Sequence, residues 1–389
     1  MQEALRFDPT GCDFPPPRVP LLPRAAFGLA ASKPAPAPPG RVFRHFARGR
    51  YALHEAFRLA GVGPGRALFA PAYHCRTMVD PALSLAAPVY LYPLSATLEP
   101  DLDAVAALLA RHGAPAALLA THFFGVARRF DALAAWCRGH GIALIEDCAH
   151  GFVLDPADGH PGPAAGAMGS VGDYGVSSPY KFLPCPDGGL LWAPANRERA
   201  LVPPRTRSWR DELRGALSLR ARAAKGLPGQ GAASLPDTGV GCGQHLREPA
   251  RRPSIAYEVQ AEGADRLRLS RWLVRRAAVE AAARARRAHH ARWQQASLRF
   301  RGARALHTPA EHDVPYMFAL LLDTPEPAFS RLKRAGVPIW RWDEMLVSGC
   351  PTALHCRERL LHLPCHQGLN EDEMDWMIGR VEQVLGGCS

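Results

Sequence analysis

Two residues of this chain have the chemistry and setting for covalent work: Asp147 and, thirty-four positions later, Lys181. Asp147 closes the run Ile142-Ala-Leu-Ile-Glu146-Asp147. Four apolar residues ending in two carboxylates read as a buried strand whose C-terminal end opens into a pocket, the usual place for ligands in open α/β sheets. Lys181 is one of four lysines (Lys33, Lys181, Lys225, Lys333) in a chain whose basic residues are otherwise arginines. It lies between Tyr180 and Phe182, after a Ser177-Ser178-Pro179 turn and before Pro186-Asp187-Gly188-Gly189. An amine can lose its proton and attack a carbonyl, which a guanidinium cannot do. A surface lysine in a loop is the alternative reading of the same spacing.

The elements that must position these two residues alternate. Arg66–Tyr73, Pro88–Pro93, Pro115–Gly125 and Ile142–Asp147 read as short apolar strands. Helical stretches near Met78–Leu85, Leu102–His112 and Phe130–His140 separate them. That alternation predicts a largely parallel sheet covered on both faces, which gathers Tyr73-His74-Cys75, His122-Phe123-Phe124 and Asp147 at the strands' carboxyl ends. Before the first strand, Gly49–Gly61 reads as a helix with Leu53, Phe57, Leu59 and Ala60 on one side. Its start is a natural anion site, because free N–H groups and the helix dipole converge there; an ordinary helix cap is the alternative.

A strand ending in Glu-Asp-Cys-Ala-His, a Gly172-Asp-Tyr-Gly-Val-Ser-Ser178 turn, a lysine and a Gly188-Gly189 strand start together resemble the DegT/StrS family of sugar aminotransferases, which depend on pyridoxal 5'-phosphate (PLP). The resemblance runs from about Arg48 to the C-terminus. It implies an α/β fold of the PLP-transferase type I: a three-layer, mainly parallel sheet with a smaller C-terminal α+β domain. The expected division is a proline-rich arm over 1–40, read from its prolines, then a large PLP-binding domain over 41–258 and a small domain over 259–389, as the resemblance implies. In that family the matching aspartate pairs with the pyridine nitrogen, here Asp147. The residue three further on, here His150, lies against the ring, and the lysine, here Lys181, carries the cofactor as a Schiff base. Ser178, with Ser177 as a second candidate, and Gly49 with Arg50 match the phosphate cradle. Family members have a small hydroxyl residue where this chain has Arg50. Where the family has a ring-stacking aromatic this chain has Cys75, so His74, Tyr73 or His150 must serve that face. An asparagine that the family draws from the partner subunit has no match, since Asn196 and Asn370 lie elsewhere.

The chemistry of the set is coherent. PLP withdraws electrons only while its ring nitrogen is protonated, and a sheltered carboxylate favours the cation. A lysine freed from the cofactor can move a proton. The implied function is transfer of an amino group from an amino acid, with glutamate the usual donor, to a nucleotide-linked keto sugar in amino-sugar or polysaccharide biosynthesis. A non-sugar carbonyl acceptor and a non-catalytic PLP-fold binding or regulatory protein are the alternatives. The resemblance also implies a homodimer; lysine in place of histidine at 181 argues against the family's dehydratase branch.

The remaining text sets limits. At 389 residues, 47% hydrophobic and 21% charged, the chain is ordinary globular protein long enough for two domains. No run approaches a membrane span, no signal-peptide pattern opens the sequence, and a cytoplasmic protein with reduced thiols is the expectation. The net charge of +11 suits anionic partners, but no nucleic-acid module accompanies it. Residues 1–40 hold ten prolines and read as an extended or mobile arm without a core element. From Gly263 an Arg-rich helical text carries an apolar stripe of Leu267, Trp272, Leu273, Val279 and Trp293. Cys350, His355, Cys356, His362, Cys365 and His366 could in principle ligate zinc, but they lack paired C-x-x-C spacing and no metal is assigned.

Overall fold

The computed structural model describes residues 2–8, 14–23, 38–160, 162–163, 167–223, 244–342 and 344–386. The chain opens with strand β1 (Glu3–Asp8), then β2 (Arg41–Phe46) and helix α1 (Gly49–Leu59). Three strand–helix units follow: β3 (Leu68–Pro71) with α2 (Arg76–Ser84), β4 (Val89–Tyr92) with α3 (Leu102–His112), and β5 (Ala117–Thr121) with α4 (Asp131–Gly139). Then come β6 (Ala143–Cys148), β7 (Tyr174–Ser177) and β8 (Gly189–Pro194). These strands form one seven-stranded sheet in the order β2-β8-β7-β6-β5-β3-β4. Its β4, β3, β5, β6 and β7 are parallel, while β8 and β2 pair antiparallel at one edge. The continuous apolar runs have their cause here: β3, β5 and β7 are buried along their whole length.

Short-range chemistry sets the ends of the elements. The Asp101 side chain accepts from the N–H groups of Asp103 and Ala104 and caps α3. Helix α1 has no side-chain cap at Arg48, and its buried face carries Leu53, Phe57 and Leu59. Gly189 is a glycine for space, since a Cβ there would stand 2.3 Å from the Arg48 carbonyl carbon, whereas Gly188 is a glycine for its positive φ of 145°. The start of α1 therefore lies directly against the strand that follows Lys181.

The C-terminal half contains α5 (Trp209–Ala223), β9 (Gln244–Pro249), α6 (Arg268–Arg275), α7 (Val279–Ser297), β10 (Ala303–Ala305) and β11 (Met317–Leu322). It continues with α8 (Ala328–Arg334), β12 (Met345–Leu346), α9 (Pro351–Arg359), β13 (Leu360–Pro364) and α10 (Glu371–Leu385). Antiparallel β10-β11-β13 and the helices α7, α8 and α10 enclose a second core around Trp293, Phe318, Leu363, Met374 and Met377. A capping box between Asn370 and Glu373 starts α10.

Two sequence expectations are corrected. The arm over 1–40 does contain an element: β1 precedes the prolines, buries Ala4 and Leu5, and pairs on both sides in the sheet β12-β1-β9. The stretch 24–37 of that arm, with Pro34 and Pro36, lies outside the described residues. The Arg-rich text after Gly263 is two helices, not one stripe. Leu267, Leu273 and Trp293 are buried, whereas Trp272 is exposed with the Arg276 guanidinium 4.6 Å above its ring.

Candidate active site

The carboxyl ends of β3, β5 and β6, the start of α1 and the turn before Lys181 surround one cleft. Asp147, His150, Ser178, Lys181, Gly49 and Arg50 all line it, together with Arg48, Cys75, Thr77, Thr121, Tyr180 and Trp342. Six residues named from separate stretches of sequence thus share one wall-to-wall space.

Asp147 is buried at the end of β6, and its Oδ1 accepts from the N–H of Ala149 at 2.9 Å. Burial raises its pKa; the Lys181 charge and that hydrogen bond only partly offset it. A carboxylate held this way gains from a cation placed against it.

Lys181 ends a single 3₁₀ turn begun by Pro179. Its Nζ stands 5.4 Å from the centroid of the Tyr316 ring. Behind it, the fully buried Arg286 donates to the carbonyls of Lys181 and Phe182 at 3.4 and 3.2 Å and to those of Pro315 and Tyr316. Burial lowers the Arg286 pKa to about 10. This cation fixes the main chain under the lysine, and it comes from α7, more than one hundred residues on.

His150 Nδ1 accepts from the N–H of Phe124 at 3.2 Å, so the ring carries its proton on Nε2. Burial pushes its pKa well below the usual range, with Lys181 and His362 adding to the effect. The neutral ring packs 4.5 Å from Tyr316 and 5.2 Å from Trp342. Phe124 lies among the same rings, 5.7 Å from His150. It adopts a left-handed backbone (φ 60°) in the turn after β5. Gly125 follows because a Cβ there would meet the Val314 carbonyl at 2.4 Å.

The phosphate-cradle candidates separate. Gly49 faces Ser178, whose Oγ would lie 3.0 Å from a Cβ at position 49, so glycine keeps the helix start open beside that hydroxyl. Ser177 is turned away: its hydroxyl donates to the Val153 carbonyl at 2.8 Å. Arg50 lines the mouth of the cleft but donates to the Ala256 carbonyl. Arg48 lies 4.5 Å over the Tyr180 ring.

On the wall where an aromatic was expected, Cys75 contacts Thr77 Oγ1 at 3.0 Å, and burial raises its thiol pKa. His74 does not substitute for it. Its Nδ1 faces the carbonyls of Pro71 and Ala72, its Nε2 accepts from the Leu346 N–H, and burial lowers its pKa to about 4. Tyr73 is also turned from the cleft, with its hydroxyl 3.2 Å from His362 Nε2. Of the three candidates, His150 alone lines the cleft. Trp342, Tyr316 and His362 complete the aromatic surround, and their distance in sequence hid them. Cys350, His355, Cys356, His362, Cys365 and His366 do not gather into a shared ligand set among the described residues.

The residues fit PLP. A buried carboxylate, a lysine, a neutral ring and an open helix start beside a serine stand around one space. A seven-stranded mixed sheet carrying this cleft is the fold of PLP-dependent aminotransferases of fold type I. Residues 46–200 match the model of the DegT/DnrJ/EryC1/StrS aminotransferase family. It is similar to the L-glutamine:scyllo-inosose aminotransferase of Streptomyces griseus, 31% identical over 37% of this chain and 32% of that protein. It is similar also to the dTDP-4-dehydro-2,3,6-trideoxy-D-glucose 4-aminotransferase of Saccharopolyspora spinosa, 31% identical over 40% of each. The matched segment is thus about a third to two-fifths of these relatives. A crystal structure of a family aminotransferase from Brucella abortus superposes with a TM-score of 0.61 at 19% identity, covering 89% of this chain and 86% of that one.

Proposed function

We propose that the protein is a PLP-dependent aminotransferase that moves an amino group from an amino acid, probed first as glutamate, to a nucleotide-linked keto sugar. The observation that carries this reading is the pairing of buried Asp147 with Lys181 across a cleft that the uncapped start of α1 also enters. PLP, when bound, supplies an aldehyde for bonding to amines and a ring that accepts electrons.

The chain's own residues have distinct tasks. Lys181 would hold the cofactor through Nζ and could hold and return a proton at that atom. Asp147 would favour the protonated form of the ring nitrogen. Ser178 and the N–H groups at Gly49 and Arg50 bind the phosphate. His150 offers Nε2–H from one face, and Trp342, Phe124 and Tyr316 exclude water. A larger groove, sharing Arg48 and Arg50 with the cleft and extending past Arg205, Arg207 and Arg214, gives an anionic substrate tail a course to follow. We read the protein as a cytoplasmic homodimer. Trp209, Leu213 and Leu217, exposed at four-residue spacing on α5, support an association face, and no described helix is long and apolar enough to cross a membrane.

The test is the visible spectrum of the protein with PLP, followed by borohydride reduction and peptide mapping. Wild type is expected to show an absorbance band and label on the Lys181 peptide. Lys181→Ala should lose both and reduce transfer by roughly 10⁴-fold. Label spread over the other lysines would sink the assignment. Scyllo-inosose and a dTDP-linked 4-keto sugar, offered as rival acceptors, separate the sugar reading from the non-sugar one.

A further inference from the structure

Thr121 ends β5, one strand from Asp147 and in direct register with it. In parallel strands, residues in register face the same side of the sheet, and Thr121 lines the same cleft as Asp147 and Lys181. It is 4% exposed, and its Oγ1 is buried with no hydrogen-bond partner among the described residues. The polar atoms nearby that do have partners bond elsewhere: Asp147 Oδ1 accepts from Ala149, His150 Nδ1 accepts from Phe124, and Cys75 Sγ contacts Thr77. A hydroxyl shut away from water without a partner is destabilising, and such groups in native proteins call for an explanation. Valine has nearly the same shape and would fill the position without that cost.

We propose that Thr121 is a cofactor-binding residue, its hydroxyl hydrogen-bonding PLP beside the Asp147 contact. This rests on the function proposed above. The signs of two effects separate a ligand contact from a structural one. A hydroxyl that serves the fold stabilises the empty protein; one that serves the ligand does so only when the ligand is present.

The experiment compares wild type, Thr121→Val and Thr121→Ser, each freed of cofactor. Thermal unfolding is recorded first, and the dissociation constant for PLP is then obtained by absorbance titration. Thr121→Val is expected to unfold at the wild-type temperature or above it and to bind PLP about tenfold more weakly. Thr121→Ser should recover most of the affinity. A lower unfolding temperature for cofactor-free Thr121→Val, or an unchanged dissociation constant, overturns the proposal while the aminotransferase reading stands. Wild-type protein that fails to bind PLP overturns both.

Discussion

The two sides of β6 carry adjacent carboxylates with opposite fates. On the back, Glu146 accepts from His122 Nε2 at 2.9 Å and from the N–H groups of Gly169, Val171 and Gly172 at 3.1, 2.7 and 2.5 Å. His122 Nδ1 accepts from the Arg128 N–H, which leaves the ring proton on Nε2 for Glu146. Burial opposes ionisation of Glu146, yet the hydrogen bonds outweigh it and its pKa is lowered. On the cleft side Asp147 has one N–H bond, and burial leaves its pKa raised. Both side chains are nearly inaccessible, so depth is not what separates them. A saturated carboxylate belongs to the fold, and an undersatisfied one beside a cleft is held for a ligand.

The sharpest way to break this comparison is Asp147→Asn. Loss of a buried partner to a ring cation should cost about 2–5 kcal/mol, or roughly 30- to 4,000-fold in transfer rate. The cofactor-free fold should not suffer. Because the folded pKa is raised, Asp147 contributes stability that is present below the ordinary aspartate range and lost as pH rises through the folded value. Asparagine removes that loss, so at neutral pH the variant should unfold at or above the wild-type temperature. A clear drop would mean that Asp147 is structural after all.

Glu146→Gln is the converse and the next in size. It replaces charge-assisted bonds to the 169–172 loop and should destabilise the fold by about 2–3 kcal/mol, while the Lys181-dependent absorbance band persists. The sign of the pH dependence reverses: a lowered folded pKa gives stability present above the ordinary glutamate range and lost as pH falls through the folded value. Wild-type protein should therefore lose the loop's anchor on acidification, and Glu146→Gln should flatten that part of the profile. A variant that folds normally but loses the absorbance band would place Glu146 in the cleft's chemistry instead.

The same division explains what was legible in the sequence. Asp147, His150, Ser178, Lys181, Gly49 and Arg50 sit at strand ends and turns whose local pattern is visible along the chain, and all reach the cleft. The difference between Glu146 and Asp147 was not visible, because it depends on a loop more than twenty residues away. Trp342, Tyr316 and Arg286 come to the lysine or its cleft from more than one hundred residues further along the chain, and no periodicity marks them. Strand β1 was missed because six residues before a run of prolines carry little signal, and its partners β9 and β12 lie far along the chain. Trp272 misled because helical spacing does not reveal that α6 ends at Arg275.

The helix starts give the smallest and most local version of the contrast. Helix α3 is closed by the Asp101 side chain, whereas α1 begins at Gly49 with no cap and with Ser178 across from it. If that opening is kept for a phosphate, Gly49→Ala should crowd the Ser178 hydroxyl from 3.0 Å and weaken PLP binding by about 1 kcal/mol, roughly fivefold. The fold should tolerate it, since the backbone there is not left-handed and alanine is the better helix former. An absorbance titration and a thermal scan of the cofactor-free protein check the two halves separately. Unchanged affinity would show that the start of α1 is open for some reason other than the cofactor, and would leave Ser178 alone as the phosphate contact.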